Sequence, residues 1–396
     1  MRRITPRLVG VVLVTVALVC CAGLVLTLAL VPSAGPVGAD MLRKVAGDAF
    51  VARLESAVYT TRDKIDQEEF ALGIKQESAP WEVEPTPKLR PTVTPFPVHE
   101  PVAGQTAVPQ PTQPPPEFRL ESLKPFTKKA GEGIWQPYIF DAAGRTVAYR
   151  TFLSPDPVRP YVSMGLVAFD LRAARLEFVL GTQEPVNHNN APIPARTGKI
   201  PELDAKPGKL LAVFNGGFKT QHGNFGVGVN SNTLVPARDG FMTVGQPKSG
   251  SLKMGAWSST LAGTEWKWWR QNGPPIIQSG QINPLTENNA AGNWGAALDG
   301  SVAVWRSAMA TNKDSSVLFY AAGDSLLVST MARALITAGA QDAMQLDINN
   351  FWVHFDAIKA DGDKLATEPL FDGMKAQDDR RYLNGYTRDY FYVVSK

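Results

Sequence analysis

Between Pro80 and Pro116 lie 12 of the 31 prolines of this 396-residue chain, mixed with Thr, Val and Gln. Each proline removes a backbone donor and fixes φ, so this stretch can form neither a helix nor an interior strand and is expected to run as an extended spacer. PxxP matches inside it follow from composition alone and are not read as recognition motifs. The chain is thereby cut in two, and only the part after the spacer is long enough to build a large core.

The N-terminal part has its own organisation. Arg2, Arg3 and Arg7 precede an uninterrupted apolar run, Leu8 to Val31, long enough at about 1.5 Å per residue to cross a hydrocarbon layer of about 30 Å. Arginines on that side favour a cytoplasmic N-terminus and an exported C-terminal bulk. Val37-Gly38-Ala39 offers a competing signal-peptide cleavage site, but such h-regions run to about 7–15 residues, shorter than this one, so an uncleaved anchor is the expectation. Lipid attachment at Cys20 or Cys21 stands as a minor alternative, because the bulky Val19 precedes them. Both cysteines lie in the apolar run, which leaves the remainder without a disulfide or a thiolate ligand. From Met41 to Leu72 the residues Leu42, Val45, Val51, Leu54, Val58 and Ile65 recur at three- and four-residue intervals, which predicts an amphipathic helix. It could pair with a second copy, lie on the membrane surface or be a solvated stalk. The expected division is therefore 1–39 stub and anchor, 40–79 juxtamembrane helix, 80–116 linker and 117–396 globular domain.

Lys plus Arg (40) nearly balance Asp plus Glu (37), so the charge argues against a nucleic-acid partner. Beyond Glu117, short apolar runs separated by Gly, Asn and Asp predict a strand-rich, mixed α/β domain, a single mixed sheet with packed helices. Tyr161 to Leu171 and Leu176 to Leu180 flank a short link and read as a hairpin. Leu210 to Phe214 is a continuously apolar strand running into Asn215-Gly216-Gly217, where the backbone must turn and a ligand or a neighbouring chain comes close. Val317 to Tyr320 is another such strand. Gly323-Asp324 then suggests a cap for a helix with Leu327, Met331 and Leu335 on one stripe, ended by Gly339. Next comes Ala343 to Asp347, in which Met344 and Leu346 share one face and Gln345 and Asp347 the other. A carboxylate at the C-terminal end of a strand in an open α/β sheet is a candidate for function, with an Asx turn or a cap as the plain alternative.

In their order and spacing these elements resemble the phosphodiester glycosidase domain found in the lysosomal uncovering enzyme and in many bacterial envelope proteins. The resemblance runs from about Val213 to the C-terminus. It includes Asn215-Gly216-Gly217-Phe218, the segment Gly273 to Gly280, Ala296 to Val304 with an Asp299-Gly300 turn, the helix Ser325 to Ala338, and the strand ending in Leu346-Asp347. It implies a hydrolase acting outside the cytoplasm on a sugar linked through an anomeric phosphodiester, or a related envelope glycan or exopolysaccharide. There are two departures. Where the family continues with a glycine-rich Asp-Gly-Gly-Gly-Ser turn, this chain has Asp347-Ile348-Asn349-Asn350-Phe351. Where the family tends to carry an arginine, it has Gly292-Asn293-Trp294-Gly295.

Asp347 is the first candidate for an essential carboxylate. Its partner could be Asp299, Asp324 or Asp356, and His354 could serve as acid or base, with a buried, hydrogen-bonded histidine as the alternative. Asn215, Gly216, Gly217, Asn349 and Asn350 are candidate substrate contacts, and Trp352 could stack on a sugar ring. Lys219, His222 and Arg238, in a Gly-rich loop, could supply the charge of the absent arginine. One of the four histidines, His99, falls in the linker, and no cysteine follows Cys21, so no zinc site is expected. No EF-hand spacing is present, and no cofactor is expected. Expected partners are a carbohydrate or sugar-phosphate substrate and the membrane. The rival reading is a non-catalytic envelope module that keeps the fold and binds glycan.

Overall fold

The computed structural model describes residues 47–83, 118–193, 195–287, 293–295, 302–374, 378 and 380–396. The apolar run Leu8–Val31, residues 84–116 of the proline-rich spacer and the Asp299-Gly300 turn lie outside these. Among the described residues no helix is long and apolar enough to cross a membrane.

Three antiparallel sheets make up the body. The largest has eight strands in the order Gln136–Phe140, Thr146–Leu153, Met164–Asp170, Val317–Leu326, Val304–Thr311, Asp342–Gln345, Ile277–Gln278 and Gln281–Ile282. A five-stranded sheet runs Lys364–Pro369, Phe355–Asp361, Leu210–Asn215, Tyr390–Ser395 and Ala174–Val179. A second runs Asn232–Val235, Val227–Val229, Trp266–Gln271, Met242–Pro247 and Lys253–Ala256. The expected single mixed sheet is therefore corrected to three antiparallel ones. Strands apolar on both faces fit a sheet covered by packed helices, but here a second sheet does the covering on one side.

Side-chain alternation along the eight-stranded sheet separates two cores. Val167, Phe169, Met309, Leu318, Tyr320 and Met344 face the first five-stranded sheet and meet Leu211, Phe214, Phe355 and Phe391. Met242, Val244 and Trp268 of the third sheet close the same core. Leu166, Ala168, Ala308, Ala310, Phe319, Ala321 and Ala343 point the other way, onto Met331 and Leu335 of the helix Val328–Thr337. The many alanines on that face let the helix approach closely.

Two local expectations change. Met164–Asp170 and Ala174–Val179 do not form a hairpin; they enter different sheets, pairing with Thr146–Leu153 and Val317–Leu326 in one case and with Tyr390–Ser395 in the other. The link between them is where the chain crosses from one layer to the next. Nor does Gly323-Asp324 cap the helix. The strand continues to Leu326, and Gly323 is needed because a Cβ there would lie 2.6 Å from the Ser163 carbonyl oxygen. Capping falls to Thr330, whose Oγ1 accepts from the Leu327 N–H at 3.2 Å. Gly339, at φ +89°, follows the helix in the left-handed conformation that glycine adopts without strain.

Within the Met41–Leu72 stretch the described residues form one helix, Asp48–Ala71, which lies against the body. Val51 is buried, and the Arg62 guanidinium donates to Asp324 at 2.7 Å. Arg159 is gripped by Asp63 of the helix and by Asp156. The Phe70 and Tyr161 rings are 5.2 Å apart, and Tyr59 packs with Val302, Val304 and Ile348. After the helix, Trp81 sits 5.7 Å edge-on to Phe152 with Arg150 over its ring.

Candidate active site

Ser307 joins the ends of two sheets. Its N–H donates to the Asp347 carbonyl at 2.9 Å, its Oγ accepts the Asp347 N–H at 3.1 Å, and Asn215 Nδ2 donates to the same Oγ at 3.0 Å. Asp347, two residues past the strand Asp342–Gln345, is thus brought beside Asn215 at the end of Leu210–Asn215. Because Asn215 pairs with Tyr390 in antiparallel register, Arg388 and Asp389 arrive at the same place. Asn215, Gly216, Asp347, Trp352, Tyr382, Tyr386, Arg388 and Asp389 line a narrow cleft of about 10 Å³ there.

The charges in this cleft are held firmly. Asp347 Oδ2 accepts from Arg388 Nη2 at 2.8 Å, and Oδ1 accepts from the Ile348 and Asn349 N–H groups at 2.8 and 3.2 Å. Arg388 also donates to the Gly217 carbonyl at 2.7 Å, and its guanidinium lies 4.5 Å from the Trp352 ring centroid. Burial works to lower the Arg388 pKa, but the Asp347 and Asp389 charges outweigh it, and the net shift is upward. Asp389 Oδ2 accepts from Arg270 Nε at 2.8 Å, with both side chains fully buried. Its other oxygen, Oδ1, is buried with no hydrogen-bond partner among the described residues. An acceptor left that way at a cleft wall is suited to a ligand hydroxyl. Burial raises the Tyr386 and Tyr382 phenols, which therefore present neutral O–H groups.

Gly216 and Gly217 are explained by their neighbours. A Cβ on Gly216 would lie 2.5 Å from the Asp389 carbonyl oxygen and 2.8 Å from its Oδ2; one on Gly217 would lie 2.8 Å from Asn272 Oδ1. What approaches these glycines is the protein's own chain. Asn215 is similarly committed, accepting from the Tyr320 hydroxyl at 3.1 Å and the His354 N–H at 3.2 Å.

Several predicted residues stand elsewhere. His354 is fully buried beneath the cleft and bonds Asp356 at 2.8 Å, so the expectation of a catalytic histidine gives way to the buried, hydrogen-bonded alternative. With it Asp356 leaves the list of second carboxylates, and Asp324 is taken by Arg62. Asn349 builds the turn: its Oδ1 accepts from the Phe351 N–H at 2.8 Å and its carbonyl from the Trp352 and Val353 N–H groups. Asn350 is exposed at that turn and does not line the cleft. Arg238 donates to the Gly223 carbonyl at 2.7 Å and caps its own loop. His222, in a short 3-10 turn, does not line the cleft, whereas Lys219 Nζ reaches to 6.0 Å from the Trp352 centroid. Where the family arginine is absent, the Trp294 carbonyl accepts from Gln345 Nε2 at 2.8 Å.

Sequence reading missed Arg388, Asp389, Tyr382, Tyr386 and Arg270. The available signal was the charged pair Arg388-Asp389 running directly into the apolar strand Tyr390–Ser395.

No known family matches the sequence, and no curated protein matches it. Among solved structures, the catalytic domain of zebrafish N-acetylglucosamine-1-phosphodiester alpha-N-acetylglucosaminidase, auto-inhibited by pro-peptide, is similar at a TM-score of 0.41 and 14% identity, covering 66% of this chain and 88% of that one. A hypothetical protein from Synechocystis is similar at a TM-score of 0.35 and 10% identity, covering 66% of this chain and 62% of that one. Both are distant likenesses of fold.

Proposed function

We propose that the chain is a hydrolase of sugar-1-phosphodiesters or a related envelope glycan, held at the membrane by its N-terminal apolar run with the domain outside the cytoplasm. The observation that carries this reading is the meeting of two buried carboxylates, Asp347 and Asp389, with Arg388 and the Trp352 ring at one cleft. Glycoside cleavage uses two carboxyl groups, and a phosphate leaving group needs little protonation. Asp389, with its unsatisfied Oδ1, takes the place that the sequence left open for a second carboxylate. Arg388 and Lys219 offer the positive charge a phosphodiester requires, and Trp352 offers a face for a sugar ring. At about 10 Å³ the cleft is far smaller than the roughly 300–1,000 Å³ of most small-molecule sites, so the substrate lies on its rim and the lining side chains must part to admit the reacting group.

One feature favours the rival, a glycan-binding module without turnover: Asp347 is occupied by three donors. Incubating the full-length chain in detergent with a panel of sugar-1-phosphate methyl esters separates the two. Release of free sugar supports the hydrolase, whereas binding by calorimetry without release supports the module.

A further inference from the structure

We propose that Ser154 is a nucleophile served by Lys129 as its base, at a second reactive site that takes the acyl group of an ester. Ser154 directly follows the strand Thr146–Leu153 and lines a cavity of about 380 Å³ that shares no lining residue with the Asp347 cleft. Lys129 Nζ lies 2.9 Å from Ser154 Oγ and 2.9 Å from Ser163 Oγ, with the Val162 carbonyl at 3.5 Å. Both Lys129 and Ser154 are buried. This is the nucleophile, base and orienting group within hydrogen-bond reach that activated serines require.

A lysine kept in the interior for structure alone is normally paired with a carboxylate. Lys129 forms no ion pair with a described residue; its partners are two hydroxyls and a carbonyl. Glu132, close enough to act on it electrostatically, is spent elsewhere: Oε1 accepts the Ser154 N–H at 2.7 Å and the Phe126 N–H at 3.1 Å, fixing the backbone that carries the nucleophile. Burial lowers Lys129 from 10.5 to about 8 against the opposing charges of Glu132 and Glu77, so a usable fraction is neutral near physiological pH. Phe126, Pro155, Pro157 and Pro160 give the cavity apolar walls suited to an acyl chain, and Lys128 and Arg333 add positive charge.

In the reaction, Ser154 Oγ bonds to the acyl carbon while its proton passes to neutral Lys129 Nζ. The ester C–O bond then breaks and the departing alkoxide takes that proton. Water attacks the acyl-serine by the reverse route, so ester and water give acid and alcohol.

The test treats the full-length chain with a fluorophosphonate probe and maps the adduct by mass spectrometry. Labelling is expected at Ser154, with a rate that rises through a midpoint near pH 8, the value to which Lys129 is lowered. Lys129→Arg, which keeps the charge but cannot lose its proton, should slow labelling about 100-fold or more. An adduct absent from Ser154, or an unchanged rate in Lys129→Arg, overturns the proposal. Should that variant fail to fold, the pH profile of the unaltered chain decides, and a rate flat between about pH 6 and 10 overturns it.

Discussion

Replacing Asp347 by Asn removes one charge from a buried pair and leaves Arg388 facing an amide. Breaking such a pair costs about 3 kcal/mol, here moderated by the nearby Asp389 charge, so the variant should be less stable as well as inactive. Rates must therefore be expressed per folded molecule. On that basis Asp347→Asn and Asp389→Asn should each lose about 100- to 10,000-fold in release of sugar. Losing turnover in one variant and keeping it in the other would show that the two carboxylates do not act as a pair. His354 does not line the cleft. It is bonded to Asp356, and Trp352, two residues earlier, is the side chain of that stretch that reaches the cleft.

Among elements, the helix Asp48–Ala71 behaves as part of the body. Asp63 and Asp156 share the buried Arg159 guanidinium, and Tyr59 packs with Ile348, the residue whose N–H bonds the Asp347 carboxylate. Asp63→Asn leaves Arg159 with one charged partner, a loss of about 1–3 kcal/mol in holding the helix down. Hydrogen exchange should then quicken across 48–71 while the strands of the eight-stranded sheet keep their protection. Equal quickening in both would mean that helix and sheet open as one unit. In the five-stranded sheet the constraint is tighter still, since the antiparallel register of Leu210–Asn215 with Tyr390–Ser395 puts Gly216 so close to Asp389 that no side chain fits between.

For the whole molecule, stability should pass through a maximum in mildly alkaline solution. Burial holds Lys129 near 8 against its ordinary 10.5, so in that interval the unfolded chain binds a proton the folded chain does not, and stability rises with pH. Burial acts oppositely on tyrosines, raising Tyr161 from 10.0 to about 12 and lifting Tyr320 and Tyr390 well above 10. Past pH 10 the unfolded chain has lost protons that the folded chain retains, and stability falls. Thermal melts at pH 7 to 12 should peak between about pH 9 and 10. A steady decline from pH 8 would contradict the burial of Lys129.

Some of this was legible in the chain itself because it is local. Continuously apolar runs identified buried strands at Leu210–Phe214 and Val317–Tyr320, and alternation placed Met344 and Leu346 on one face with Asp347 opposite. Periodicity found the helix ended by Gly339, and glycines at 216 and 217 announced a close approach. Other features depended on which strands meet. Long apolar runs are compatible with parallel or antiparallel pairing, so the three sheets, and the crossing of 171–173 between layers instead of a hairpin, could not be read. Arg388, Asp389 and Arg270 were not singled out by any local pattern. Arg388 and Asp389 became cleft residues, with Arg270 bonded to Asp389, only because Tyr390 pairs with Asn215 and Trp266–Gln271 packs beside them, a juxtaposition of segments more than a hundred residues apart. The sequence by itself determined the local elements, through side-chain period and backbone freedom. Tertiary structure alone decided which charges left water together, because desolvation and pairing depend on neighbours in space.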